Sequence, residues 1–442
     1  MPVYIGFDDT DSPTGGCTTY TACLVIEQLL RLKVKFLDFP RLIRLNPNVP
    51  YKTRGNGAVS LQVNISNSLV DYDELKEVVL RTIANTAQQG SDPCVVFLHT
   101  ERIPNIIRSI GEKALHDLLN PRSVLSKASS AGCEIHALGS TLTGVIGAVA
   151  AIGVPLDDYT FELIAYRTRE NWGKRVRKID VSSVIEMDKK FRNLVFHNYD
   201  PETGRVLLYP RGPDPVLLGV RGETPGAVLA AFRAVRINEP VERWVIFRTN
   251  QATDQHVKVL RAVSDLRPYT SARIIGVVAE KPRIEIGGHV FFPIKDSTGS
   301  VLCAAYEPTG SFRFKVLCLR PGDVVEAWGG VRPPDRLHPM VLNLEGFRVL
   351  HLCEYEHLNP LCPRCGKRMT SLGRHQGFRC KRCRAKLPPG AKQTLLIRRQ
   401  LREGGIYLPP PRARRHLTKP LCRYGREKRG VWIPLTAPWH YP

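Results

Sequence analysis

Two rhythms of apolar residues alternate along the first hundred positions. VYIGF is a short unbroken apolar run, the mark of a buried strand, and TTYTACLVIEQLLRL then carries its apolar residues at helical spacing from about Thr18. FLDFPRLIRLN and GAVSLQVNI read as extended, YDELKEVVLRTIANTAQQG as an amphipathic helix, and CVVFLH as a further buried strand. The order strand-helix-strand-strand-helix-strand is that of a split βαβ, ferredoxin-like unit. A further helix is expected over residues 103–119, packed on that unit.

A similar order recurs downstream. CEIHAL, GVIGAVAAIG and TFELIAYR predict strand, helix and strand; after a polar insertion, PVLLGVRG, TPGAVLAAFRAVR and RWVIFRTN predict the same again. This reads as a second α+β unit. From Ala272 the texture shifts to short alternating segments broken by Gly-Gly, Asp-Ser-Thr-Gly and Pro-Gly-Asp turns, running through FKVLCL, VVEAWGGVR and FRVLHL. About five such strands predict a small closed barrel of the OB type. OB barrels bind single strands with basic residues and exposed rings, which makes Phe312, Arg313, Trp328 and Arg332 candidates, with burial of each ring in the core as the plainer reading.

Composition narrows the class. A chain of 442 residues exceeds one ordinary core, so three or four domains are expected. The longest apolar run, Gly144 to Leu156, is too short for a membrane and contains three glycines and a proline. No secretory signal opens the chain, so a cytoplasmic protein is expected. The net charge of +23 is concentrated: residues 351–442 hold 21 Lys and Arg against 4 Asp and Glu. Such a density favours a polyanion, because each neutralised phosphate releases counterions; the plainer reading is a solubilising basic tail. LPPPRARR near residue 410 reads as a linker.

Four of the twelve cysteines are paired as CxxC motifs, with fourteen residues separating Cys365 from Cys380. Two such knuckles, Cys362/Cys365 and Cys380/Cys383, supply the tetrahedral thiolate set that Zn²⁺ prefers, and four thiolates leave no open position, so the zinc is structural. Lys367, Arg368, Arg374, Arg379, Lys381, Arg382 and Arg384 crowd the same ribbon, a surface suited to phosphates. The other eight cysteines are scattered, as in a reduced protein.

Against this basic background, FDDTDSPTGGCTTY is anomalous. Asp8, Asp9 and Asp11 repel one another unless a cation neutralises them, and Mg²⁺ takes carboxylates together with substrate phosphates. Gly15 and Gly16 free the backbone to approach a phosphate, and a helix starting near Thr18 points its free amides at the same place, with Thr18 and Thr19 adding hydroxyls. The plainer reading makes Thr18 a helix N-cap. YKTRGNGAVSL offers Lys52 and Arg54 beside Gly55, Asn56 and Gly57, a set suited to clamp a triphosphate; the plainer reading is a hairpin with an Asn-Gly turn.

Taken together, FDDTDSPTGGCTTY, FPRLIRLNPNVPYKTRGNGAVSL, GGHVFFPIKDSTGSVLCAAYEPTGSFR and the four-cysteine ribbon closely resemble the archaeal tRNA(Ile) 2-agmatinylcytidine synthetase family across the whole chain. The resemblance implies a multidomain α+β protein: a kinase-like domain (1–125), a ferredoxin-like domain (126–265), an OB fold (266–355), and a zinc ribbon with a basic tail (356–442). It implies ATP-dependent phosphorylation of the wobble cytidine C2 carbonyl in a tRNA(Ile) with a CAU anticodon, followed by attack of agmatine. The aspartates carry over as magnesium and phosphate residues, Thr18 as the autophosphorylated threonine, and Lys52, Arg54 and the RGNG glycines as nucleotide- or substrate-binding residues; because agmatine is a dication, acidic residues such as Glu162 are expected to line its pocket. Without the resemblance, the residues also admit a non-catalytic single-strand binding protein, which leaves the aspartates unexplained, or a metal-dependent nuclease.

Overall fold

The strongly periodic segments form the elements their spacing predicts. In the computed structural model, which describes residues 1–396 and 398–442, β1 (Val3–Asp8) leads into α1 (Thr18–Arg31), β2 (Arg41–Arg44), β3 (Gly57–Asn64), α2 (Tyr72–Thr86) and β4 (Cys94–His99). Helix α2 shows why: Asp71 caps it by accepting the Glu74 amide at 2.9 Å, and Leu75, Val79 and Ile83 bury one stripe. The strands pair antiparallel in the order β4-β1-β3-β2, with Ile5 opposite Leu61 on one side and Phe97 on the other. β2 and β3 are joined by residues 45–56, a long loop in place of a tight Asn-Gly hairpin.

The helix expected over 103–119 is shorter, α3 (Asn105–Ala114), bounded by Pro104 and followed by α4 (Pro121–Ser130). Next come β5 (Glu134–Ala137) and α5 (Gly144–Gly153), the first two elements expected of the second unit. Both join the first: β5 pairs with β4, and α5 lies across β1 and β3, where Ser60 donates to the Ala151 carbonyl at 2.7 Å. All ten residues of α5 are buried. A helix apolar all round needs cover on every side, which the open face of the first sheet and α3 provide. The break expected between residues 125 and 126 lies inside α4.

β6 (Thr160–Arg167), α6 (Val181–Lys190), β7 (Val216–Gly222), α7 (Pro225–Ala234) and β8 (Val241–Thr249) follow, with β6 antiparallel between β7 and β8. The two halves are then sewn into one mixed eleven-stranded sheet, because β8 pairs in parallel with β2, Arg248 opposite Arg41. Asn250 extends the seam: its side chain accepts the Arg44 amide at 2.8 Å and donates to the Arg44 carbonyl at 2.9 Å.

Beyond this sheet, β9 (Ser271–Val278), β10 (Val290–Lys295), β11 (Ser300–Ala305), β12 (Val324–Arg332) and β13 (Val341–His351) close a five-stranded barrel, joined in the order β9-β12-β13-β11-β10 and back to β9. FKVLCL, expected among its strands, is instead part of a helix, α8 (Phe312–Leu317), which plugs the barrel with Phe312 and Val316. Phe312 and Trp328 are each 1% exposed and therefore core, not base-stacking platforms. Arg313 donates to the Gly288 carbonyl, and Arg332 to the Tyr306 hydroxyl at 2.6 Å.

The ribbon's four cysteine sulfurs lie within 4.8 Å of one another, and three short strands at 370–371, 378–379 and 386–387 hold the knuckles around Met369 and Phe378. This donor set fits Zn²⁺. The basic C-terminal stretch is not a free tail, and LPPPRARR is no linker. Ile406–Tyr407 pairs with β13, His440–Tyr441 pairs with β8, and between them Arg423 is fully buried, donating to Glu223 at 2.6 Å and Asp158 at 2.7 Å. Its charge is neutralised inside the protein. Among the described residues no helix is long and apolar enough to cross a membrane.

Candidate active site

A cavity of about 430 Å³ opens on the seam between the halves of the large sheet. Its floor comes from β2, β6 and β7, one end from the C-terminal end of β1 and the start of α1, and its roof from residues 52–57 and 411–416. A recess of this size suits a small-molecule substrate. Asp8, Asp9, Asp11, Thr18 and Thr19 reach it from one end; Lys52, Arg54, Gly55, Asn56 and Gly57 reach it from the long loop. Gly15 and Gly16 form the turn behind Asp11, Gly16 at φ +77°, a conformation that favours glycine.

The aspartates share this corner but are directed to different partners. Asp8 is forced up to about 8, first by burial and then by the charges of Asp9 and Asp11. Its position depends on α5: a Cβ on Gly147 would lie 1.7 Å from Asp8 Oδ2. Asp9 adopts φ +59° and accepts a hydrogen bond from Thr143 Oγ1 at 3.1 Å; burial raises its carboxyl above the usual range. Asp11 is taken by Arg54, whose Nε and Nη2 lie 3.0 and 2.8 Å from Oδ2. Among the described residues only the ribbon cysteines gather three or more metal-ligating atoms at one point. Asp8 and Asp9, costly as neighbouring anions, are the pair that suits an added hard cation.

Arg54 does more than Lys52 in this structure. Besides Asp11 it bonds Asp214, and its Nη2 donates to the carbonyls of Gly15 at 3.1 Å and Gly16 at 2.8 Å. It staples the glycine turn to the loop between α6 and β7. Lys52 is held below the usual lysine range by burial and by the charge of Arg415. Asn56, at φ +46°, ties its loop down by donating to the Asn46 carbonyl at 2.7 Å.

Thr18 is not the helix cap. Cys17 occupies that position and no side chain caps it, so the first amides of α1 face the cavity end. Thr18 is the first helical residue, and its Oγ1 accepts a hydrogen bond from the buried Thr10 hydroxyl at 3.2 Å, which keeps its own proton for another acceptor. Thr19 Oγ1 contacts Cys17 Sγ at 3.0 Å. Glu162 reaches the floor already neutralised, 2.9 Å from Arg221 Nε and 3.9 Å from Arg44 Nη2.

Several site residues escaped the sequence reading. Asp92 accepts bonds from the amides and hydroxyls of Thr141 and Thr143; burial works to raise its carboxyl, but these four bonds win and hold it low. Asp92 thereby fixes the start of α5 beside Asp9. Asp214, His197, Arg221 and the arginines of LPPPRARR line the same cavity. The arginines of that motif were legible as charge; nothing local marked the others.

Comparison with known proteins agrees with this geometry. Three family models match: the TiaS TCKD domain over residues 4–71, the TiaS FLD domain over 143–256 and the TiaS C-terminal zinc ribbon domain over 359–401. The tRNA(Ile) 2-agmatinylcytidine synthetase TiaS of Pyrococcus horikoshii is 44% identical over 95% of this chain and 97% of its own. The chain belongs to the tRNA(Ile) 2-agmatinylcytidine synthetase family. Its structure matches that of a TiaS complex with tRNA(Ile) and ATP with a TM-score of 0.81, at 41% identity over 96% of this chain and 97% of that one. A TiaS complex with tRNA(Ile), AMPCPP and agmatine matches with a TM-score of 0.80, at 38% identity and the same coverage. Within this tRNA(Ile) 2-agmatinylcytidine synthetase fold, the cavity draws side chains from the first two matched segments and from residues 411–416, which lie outside all three.

Proposed function

We propose that the protein converts the wobble cytidine of tRNA(Ile), in its CAU anticodon, to 2-agmatinylcytidine, using ATP to activate the C2 carbonyl for displacement by agmatine. The observation that carries this reading is the full-length likeness to synthetases solved with tRNA(Ile), with ATP or its analogue, and with agmatine. The cavity supports it with carboxylates, a helix N-terminus and a hydroxyl at one end. Neither the single-strand binder nor the nuclease accounts for all three.

The C2 oxygen is a poor leaving group until phosphorylated. In the reaction that oxygen attacks the terminal phosphorus of ATP, a bond forms from the oxygen to phosphorus, and the bond from that phosphorus to the rest of the nucleotide breaks, releasing the nucleoside diphosphate. The agmatine amine, deprotonated, then adds at C2; the bond from C2 to oxygen breaks, the oxygen leaves as inorganic phosphate, and the nitrogen's surplus proton passes to solvent. Asp8 and Asp9 are the residues that would hold Mg²⁺, which when bound supplies positive charge to the transferring phosphoryl group. The free amides of α1 orient the phosphate at the same corner, and Thr18 presents a hydroxyl there that can itself accept a phosphoryl group. The segment expected as an OB fold and the zinc ribbon would grip the tRNA outside the cavity, while the cytidine leaves its stack to enter.

Nucleoside mass analysis of tRNA(Ile) transcript incubated with zinc-loaded protein, ATP and agmatine tests the reading. The expected product is a cytidine carrying agmatine at the wobble position, and none without ATP. An unmodified wobble cytidine would defeat it.

A further inference from the structure

Opposite the carboxylates, the cavity wall is cationic. Arg44, Arg221, Arg414 and Arg415, with His197 and His416, line it. They are mutually close: Arg44 and Arg221 share Glu162, and a Cβ on Gly55 would lie 2.5 Å from Arg44 Nη1 and 3.6 Å from His416 Cε1. Their counter-charges do not balance them. Glu162 serves both Arg221 and Arg44, and Glu345 lies 4.0 Å from Arg415. Arg414 Nε donates to the Pro409 carbonyl at 2.8 Å, while the carboxylates near Arg414 are engaged elsewhere, Asp200 by Arg412 at 2.7 Å and Asp254 by the Tyr424 hydroxyl at 2.8 Å. Partly buried guanidinium groups in excess of carboxylates are costly unless an anion joins them.

Two further features point to a ligand. His197 is only 9% exposed, yet its Nε2 has no hydrogen-bond partner among the described residues, and neither does the buried Nε of Arg44. His197 is also held at φ +61°, a conformation rare for a side-chain-bearing residue. The loop glycines make the arrangement possible, since a Cβ on Gly55 or Gly57 would lie 2.5 or 2.9 Å from Arg44 Nη1.

We infer that Arg44, Arg221, Arg414 and His197 form a phosphate subsite separate from the aspartate corner. Arginine forks match the oxygens of a phosphate group, and the wall's positive charge rejects a dication such as agmatine. Given the reaction proposed above, on which this inference rests, the phosphate belongs either to a linkage flanking the extruded cytidine or to the nucleotide.

The test reads affinity alone. Binding of a non-hydrolysable ATP analogue with Mg²⁺ and of tRNA(Ile) at fixed salt is compared for wild type, Arg414→Gln and Arg414→Lys, with circular dichroism checking the fold. Loss of one charge-assisted contact is expected to weaken one ligand roughly ten- to a hundredfold in Arg414→Gln, with Arg414→Lys recovering most of it. If the source is the RNA backbone, a methylphosphonate beside the wobble cytidine weakens wild-type binding by a similar factor and adds no loss in Arg414→Gln. If the source is the nucleotide, only analogue affinity falls. Should Arg414→Gln not fold, His197→Ala carries the same comparison. A folded variant that binds both ligands within twofold of wild type overturns the subsite. A wild type that binds but does not modify tRNA counts against the proposed reaction and leaves the subsite standing.

Discussion

Replacing Asp8 by Asn should stabilise the protein while disabling it. Asp8 has its carboxyl raised from 3.8 to about 8, chiefly by burial and then by Asp9 and Asp11. The folded protein therefore keeps a proton that the unfolded chain sheds. The associated stability is present in full below pH 3.8 and is lost as the pH climbs through about 8. The difference corresponds to at most about 6 kcal/mol against the folded state at pH 8.5. Asp8 retains some contact with solvent, which reduces the working figure to about 2 kcal/mol. Asn carries no charge at any pH and removes this term. Thermal melts without divalent ions should then show Asp8→Asn several degrees more stable than wild type at pH 8.5, about half as far ahead at pH 6, and level with it near pH 4. Millimolar Mg²⁺ should raise the wild type at pH 8.5 and leave the variant nearly unmoved. tRNA modification by the variant should fall by about a hundredfold or more. Equal melting at pH 8.5 without Mg²⁺, or an equal Mg²⁺ effect on both proteins, would refute the reasoning.

Other substitutions probe the remaining parts. Thr18→Ala should cut modification at least about a hundredfold with tRNA affinity nearly intact, and Thr18→Ser should retain a substantial part; full activity of Thr18→Ala in a turnover assay would remove the hydroxyl from the chemistry. Gly147→Ala places a methyl where Asp8 Oδ2 now lies, so urea melts should show a loss of about 1–3 kcal/mol and modification should fall with it. Cys380→Ala should lower bound zinc measured by atomic absorption and expose residues 359–401 to limited proteolysis, while the barrel stays resistant.

Local periodicity carried most of the fold. α1 starts at Thr18 because its apolar spacing begins there, and α2 buries Leu75, Val79 and Ile83 behind the Asp71 cap; both signals are written within single segments. The ribbon was equally legible, since four thiolates at that spacing have few other uses. What failed was assignment between distant segments. The apolar helix α5 fits beside any open sheet face, and only the glycine-lined approach of Gly6 and Gly147 directs it to β1. The parallel β2–β8 seam involves two register pairs far apart in sequence. Pro409–Arg415 reads locally as a loop and does not say that it will roof a cavity. At the site, the acidic cluster and the Lys52–Gly57 loop stood out by composition. Asp92, Asp214 and His197 did not, because each acquires its role from contacts across the fold.

On the proposed reaction, Asp8 and Asp9, at the end of β1 beside the N-terminus of α1, are where a nucleotide's terminal phosphate meets its cation. Crystals soaked with Mn²⁺ and a non-hydrolysable ATP analogue, measured at the manganese absorption edge, address it directly. The expected result is an anomalous peak within bonding distance of the Asp8 and Asp9 carboxylates, with phosphate density reaching the Thr18 amide. A manganese–nucleotide peak elsewhere, with that corner empty, would contradict it.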